Sequence, residues 1–197
     1  MNSVKVVFLG TTGVGKTCII NRLTHDKFKP NTINTLGVMF VPKIISIPKS
    51  KLKVKFNIWD TAGQEKYKSL AFNYYRDADV VLLVYDVTLS YTFEQMKVWL
   101  KQVKDNVSKH VKLVLLGNKI DLIEGEMTTT LEAEEFAQEN DMMFRFVSAK
   151  TGEGLSDLLE ELGANFSLPK TSRKGLRSRE HQIKLDKEKN SPSEGCC

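Results

Sequence analysis

The sequence predicts a doubly wound α/β domain, with a mostly parallel sheet carrying helices on both faces. Three observations point there. Nearly continuous apolar runs, "DVVLLVYDV", "VKLVLLGNK" and "MMFRFVSAK", suit strands covered on both sides. Segments of helical length alternate with them, as parallel crossovers require. A glycine-rich loop, "GTTGVGKT", lies between the first apolar run and the first helical segment.

Along the chain, "VKVVFLG" (Val4–Gly10) is a β-rich run, and "KTCIINRLTHD" reads as a helix with Ile19, Ile20 and Leu23 on one side. "KFKPNTIN" has Pro and Asn but no period, and reads as a loop. "GVMFVPKIISI" and "KLKVKFNIWD" flank the turn-like "PKSK", which predicts a hairpin and hence one antiparallel edge strand in a six-stranded sheet. The three apolar runs supply the remaining strands. Helical segments are "TFEQMKVWLKQVKD", "TTLEAEEFAQEN" and "GLSDLLEELGANF"; Trp99 on the first reads as core.

The chain has 197 residues, 41% hydrophobic and 27% charged, which suits one globular domain. No run approaches the ~18 apolar residues of a membrane span. No secretory signal is visible, and three cysteines without a framework spacing predict a reducing compartment. The net charge of +5 is unevenly spread. Residues 168–197 hold eight basic and four acidic residues, a net +4. They also lack aromatics, so they are expected to be a disordered basic tail behind a nearly neutral domain of residues 1–167. That distribution argues against nucleic acid as a partner.

Gly10–Thr17 fits G-x-x-x-x-G-K-[ST] between a strand and a helix. Backbone N–H groups and the helix N-terminus form a positive nest for phosphates. Gly13 and Gly15 let the backbone wrap closely. Lys16 offers a charge to the β- and γ-phosphates, and the Thr17 hydroxyl a ligand to Mg²⁺. The contacting set is Thr12, Gly13, Val14, Gly15, Lys16, Thr17 and Cys18. An ordinary glycine-rich turn is the bland alternative, and the loop alone does not choose the base.

"GNKID" places Asn118, Lys119 and Asp121 just after an apolar strand. The Asp121 carboxylate can accept two parallel hydrogen bonds, from guanine N1–H and the 2-amino group, a pair that adenine lacks. The stem of Lys119 can lie along the base. Ser148, Ala149 and Lys150 follow the next strand, with the Ala149 N–H available to guanine O6.

In order, "GTTGVGKT", Thr35, "DTAGQ", "NKID" and "SAK" resemble the Ras-like small GTPases over residues 4–167. "LGVMF", "FNIWDTAGQEKYKSL", "NYYRDA", "LVYDVT" and the Cys-Cys pair are similar to the Rab branch. The resemblance implies a P-loop NTPase fold and a GTP/GDP switch that hydrolyses GTP slowly and recruits effectors to membranes in vesicle trafficking. It implies Phe28 edge-on against guanine, Thr35 as the second protein ligand of Mg²⁺ and Asp60 reaching the ion through a water. The Gly63 N–H would touch the γ-phosphate, and Gln64 would orient the attacking water. Gln64, Lys16 and Thr35 form the implied catalytic set. Phe40, Trp59 and Tyr74 resemble an effector-binding aromatic triad, although three core aromatics would be the plainer reading.

Implied partners are an exchange factor, a GTPase-activating protein, effectors, a GDP-dissociation inhibitor and a prenylation escort. Cys196 and Cys197 are implied prenylation sites, which places the protein on the cytosolic face of intracellular membranes, with a soluble pool. "QEKYKSLAFNYYRDA" looks nearest to endosomal members.

Three positions depart from the family pattern. Thr12 stands where Ras has Gly and many Rabs Ser, so its methyl crowds the transition state. Met39 replaces an acidic surface residue, and Thr32 stands where an aromatic often covers the nucleotide. A nucleotide kinase would need a substrate lid with arginines and no N-K-x-D. An RNA-binding GTPase would need a basic body, and a scaffold without hydrolysis would not need Gln64.

Overall fold

The computed structural model describes residues 2–30, 35, 37–47, 52–61, 68–108, 110–123 and 129–166. Six strands run β1 (Asn2–Leu9), β2 (Val38–Ser46), β3 (Lys53–Thr61), β4 (Val80–Asp86), β5 (Lys112–Asn118) and β6 (Met143–Val147). Among the described residues five α-helices are α1 (Lys16–His25), α2 (Lys68–Tyr75), α3 (Ser90–Asn106), α4 (Thr129–Glu139) and α5 (Leu155–Phe166), with a 3₁₀ turn at Ile120–Leu122. The sheet order is β2-β3-β1-β4-β5-β6. β2 and β3 are antiparallel, with Phe40 opposite Trp59, and every other pair is parallel. The expected six-stranded sheet with one antiparallel edge strand is therefore present.

Two apolar layers hold the sheet. On one face Phe8, Phe56, Ile58 and Leu82 pack with Ile19 of α1 and Leu158 and Leu162 of α5. On the other, Leu9, Leu83, Tyr85 and Leu115 pack with Met96, Trp99 and Leu100 of α3 and Ala133 and Ala137 of α4. Phe93, Met96, Leu100 and Val103 recur at helical spacing, so α3 buries one stripe. Full burial of each such side chain stabilises by about 1.5–3 kcal/mol. Trp99 is core, as its position in the sequence indicated.

Two elements differ from the sequence reading. β1 starts at Asn2 rather than Val4, because Asn2 and Ser3 are paired to Val54 and Lys55 of β3. α2 is marked by no apolar period: its packing comes from the aromatics Phe72, Tyr74 and Tyr75, crowded into its last turns.

The strand order turns at β1, which has β3 on one side and β4 on the other. In such sheets the crevice at the carboxyl ends of the strands is where ligands bind.

Candidate nucleotide site

Each functional group sits on a loop leaving the carboxyl end of a strand. β1 ends at Leu9 and the chain enters α1 through Gly10–Gly15. Gly15 has φ 95°, a left-handed backbone, and a Cβ there would collide with the Asn118 amide. Only glycine meets both demands. The first turn of α1 has no side-chain cap, so its N–H groups face the crevice as an anion nest.

Lys16 folds back over this loop, with Nζ donating to the Gly10 carbonyl at 2.8 Å and the Thr11 carbonyl at 2.9 Å. It is 6% exposed. Burial lowers its pKa to about 8, partly opposed by the charge of Asp60. Burial likewise raises Asp60, against hydrogen bonds from Thr17 and Thr35 and the charge of Lys16.

Thr17, Thr35 and Asp60 converge. The Thr17 hydroxyl donates to Asp60 Oδ2 at 2.6 Å and lies 2.9 Å from the Thr35 hydroxyl, which is 3.4 Å from the same carboxylate oxygen. Asp60 Oδ1 is buried with no hydrogen-bond partner. An orphaned carboxylate oxygen beside two hydroxyls is a hard, oxygen-only donor set, which fits Mg²⁺. Among the described residues no cluster of three His, Cys, Asp or Glu side chains offers an alternative metal site.

The base end is built by the loops after β5 and β6. The buried Asn118 amide joins both to the phosphate loop: Nδ2 donates to the Val14 carbonyl at 2.8 Å, and Oδ1 accepts the Ala149 N–H at 3.1 Å. That N–H, expected to meet guanine O6, is thus already engaged, and a ligand oxygen would share it. Asp121 Oδ1 accepts the Ser148 hydroxyl at 2.6 Å, and Lys150 lies 3.5 Å from Oδ2. Lys119 has φ 72° and pairs with the buried carboxylate of Asp86.

These residues enclose a cleft of about 480 Å³, within the usual range of small-molecule sites. Thr12, Gly13, Gly15, Lys16, Thr17 and Cys18 line its phosphate end. Asn118, Lys119, Asp121, Ala149 and Lys150 line the base end, with Phe28 and Thr35 along the side. Val14 and Ser148 stand behind the wall and position it. Gly63, Gln64, Thr32, Cys196 and Cys197 lie outside the described residues.

Three further residues contribute to the site. Leu122 lines the base end. Arg22, on α1, donates from Nε to the Ala149 carbonyl at 3.1 Å and from Nη2 to the Lys150 carbonyl at 2.6 Å. Asp86 partners Lys119. The signal for Asp86 was an acidic residue ending an otherwise apolar strand; Arg22 and Leu122 gave none.

Beside the cleft, Phe40 and Trp59 have ring centroids 5.3 Å apart, and Trp59 and Tyr74 5.8 Å. The three form one cluster. Phe40 is 48% exposed, whereas Trp59 and Tyr74 lean on the core. The core reading therefore fits the last two only in part, and Phe40 not at all.

A glycine loop with its buried lysine, a carboxylate–hydroxyl cluster and an Asn-Lys-x-Asp base wall on this sheet define a GTP-hydrolysing nucleotide switch. The Ras family model matches residues 5–167. Ras-related protein Rab-4 of Dictyostelium discoideum is 42% identical over 155 residues, covering 79% of this chain and 75% of that one. Ras-related protein Rab-30 of Homo sapiens is 40% identical over 158 residues, 80% and 77% of the two chains. Ras-related protein Rab-4A of Mus musculus is 42% identical over 153 residues, 78% and 69%. The chain belongs to the Ras family, as a Rab-type small GTPase, an enzyme that converts GTP to GDP and phosphate. The role typical of that type is in vesicle trafficking, under the control of regulators and effectors. No described helix is long and apolar enough to cross a membrane.

Proposed function

We propose that the cleft holds GTP or GDP with Mg²⁺, and that the γ-phosphate sets the presentation of Phe40, Trp59 and Tyr74 to effectors. The observation that carries this is the Thr17–Thr35–Asp60 cluster beside Lys16. Thr35 belongs to the segment before β2, and its hydroxyl is tied to residues from α1 and β3. Loss of that tie would free the segment leading to Phe40.

Thr17 and Thr35 would hold the ion directly and Asp60 through a water; the ion would neutralise charge developing on the phosphates. Lys16 binds the β- and γ-phosphates, and its charge is restored by them. The loop N–H groups from Gly13 to Cys18 orient the phosphate chain. Gln64 positions the attacking water and the Gly63 N–H the γ-phosphate, in the manner of the GTPase template. Phe28 packs edge-on against the base, the Lys119 stem lies along it, and Asp121 reads its N1–H and 2-amino group. No described arginine stands in the cleft, so rapid hydrolysis requires an activating protein. The other partners are an exchange factor, a GDP-dissociation inhibitor and a prenylation escort, with no nucleic acid.

Residues 168–197 act as a basic tether to the domain of residues 1–167, and Cys196 and Cys197 carry prenyl groups. The location is then the cytosolic face of intracellular membranes, endosomal by the likeness of "QEKYKSLAFNYYRDA", with a soluble pool.

Single-turnover GTP hydrolysis with a matched activating protein tests the reading. Gln64→Leu should abolish the activated rate, and Asp121→Asn should shift binding from GTP toward XTP. Wild-type hydrolysis in the first and unchanged nucleotide preference in the second would refute it.

A further inference from the structure

Asp86 closes β4 at the rear of the base site and is 2% exposed. Its carboxylate is fixed on both sides. Oδ1 accepts the Thr88 backbone N–H at 3.0 Å and the Thr88 hydroxyl at 2.7 Å. Oδ2 meets Lys119 Nζ at 2.5 Å. The backbone around it is equally tied. The Asp86 N–H donates to the hydroxyl of Thr92, in the first turn of α3, at 3.0 Å, and the Val87 N–H donates to the Asn118 carbonyl at 3.0 Å.

The held residue is strained. Lys119 has φ 72°, a backbone that a side chain with a Cβ adopts only where its surroundings impose it. From that conformation the chain enters the 3₁₀ turn Ile120–Leu122, with the Leu122 N–H donating to the Lys119 carbonyl at 3.0 Å. Asp121, which faces the cleft, lies inside that turn. A buried carboxylate with a fixed direction supplies what the lysine lacks: an anchor that keeps its backbone in the left-handed region and its stem along the cleft wall.

We propose that Asp86 is a positioning residue for base recognition. It holds Lys119, and through Lys119 the turn that aims Asp121, and thereby slows the escape of GDP. The inference rests on the reading of the Asn118–Asp121 segment as the guanine site.

The test uses the full chain loaded with GDP carrying a fluorescent N-methylanthraniloyl group, chased with unlabelled GDP. Asp86→Asn keeps the shape and removes the charge. Release should accelerate roughly 10- to 100-fold, less than for a fully buried ion pair because the Lys119 side chain is 31% exposed. Lys119→Met should accelerate release at least as much, and the double variant should be no faster than Lys119→Met alone. The preference for GDP over IDP, which lacks the 2-amino group, should fall in Asp86→Asn, whereas a general loss of structure would weaken both nucleotides equally.

Wild-type release in Asp86→Asn, multiplying effects in the double variant, or an unchanged GDP-to-IDP ratio would overturn the proposal. If Asp86→Asn does not fold, Thr88→Val decides. It removes the hydroxyl bond to Oδ1 at an exposed position, and release at the wild-type rate overturns the proposal. Wild-type release in Lys119→Met sinks the guanine-site reading itself. Fast release there with wild-type release in Asp86→Asn sinks only the role of Asp86.

Discussion

The Asn118 side chain donates to the Val14 carbonyl at 2.8 Å, across a separation of 104 residues. With the bond it accepts from Ala149, this one amide fastens the base loops to the phosphate loop. Asn118→Ala leaves a buried carbonyl and a buried N–H without partners, at a cost of about 2–4 kcal/mol. We expect a lower urea midpoint for the GDP-bound protein together with faster GDP release. An unchanged midpoint would show that the clamp contributes nothing.

Arg22 ties α1 to the loop after β6, and it does so with a planar fork. Its two donors reach the carbonyls of Ala149 and Lys150, while Nη1 reaches Asp26 at 3.0 Å. Lysine keeps the charge but cannot span two carbonyls from fixed directions. Arg22→Lys should therefore loosen residues 148–152. Hydrogen exchange at the Ala149 and Gly152 amides should quicken by about 5- to 10-fold, for a loss near 1 kcal/mol. Protection equal to wild type would count against the fork.

How much of this could be read from the sequence follows from the range of the interactions. The phosphate loop and the N-K-x-D segment were legible because their chemistry is local: glycine conformations, a lysine and a carboxylate at fixed spacing. The sheet was legible because β4 and β5 are apolar on both faces. Asp86, Arg22 and Asn118 act across the fold, and their partners are set by tertiary packing. Arg22 reads as a solvated helix residue until α1 is laid beside the loop after β6. α2 was hidden for a similar reason: its aromatics make contacts with α3 and β3 rather than a helical stripe of their own.

Gly163 of α5 leads to a prediction about stability rather than nucleotide binding. A Cβ there would run into the Ile47 side chain, which is buried at the end of the β2–β3 hairpin. Alanine would normally favour a helix by ~1 kcal/mol over glycine. Here the clash with a packed core residue outweighs it, by about 1–3 kcal/mol of overpacking. Gly163→Ala should lower the unfolding midpoint, and Gly163→Ala with Ile47→Val should recover part of it. A stabilised Gly163→Ala would mean that the hairpin end yields easily.

Two prenyl chains anchor stably where one holds marginally, since each buried CH₂ contributes about 0.8 kcal/mol. Replacing both Cys196 and Cys197 with Ser should leave GTP binding intact and move the cellular protein to the soluble fraction. Membrane pelleting of the double variant, or an intact mass without lipid, would remove the anchor.

The most specific pH signature belongs to Lys16. Its pKa is lowered from 10.5 to about 8 by burial. Between those values the unfolded chain holds a proton that the folded chain has released, so this group makes the nucleotide-free protein more stable as pH rises from 8 to 10.5. The slope is at most about 1.4 kcal/mol per pH unit. Below pH 8 the buried ammonium carries its full desolvation cost. Phosphates placed against it reverse the balance by favouring the charged form. Nucleotide binding must then take up a proton above pH 8, and affinity must fall as pH rises, by no more than tenfold per unit. Calorimetry of GDP binding at pH 8.5, in buffers of different ionisation enthalpy, measures that uptake. Lys16→Met should bind weakly and remove this contribution to the pH slope. A binding heat independent of buffer would mean that the ammonium is already charged before the nucleotide binds.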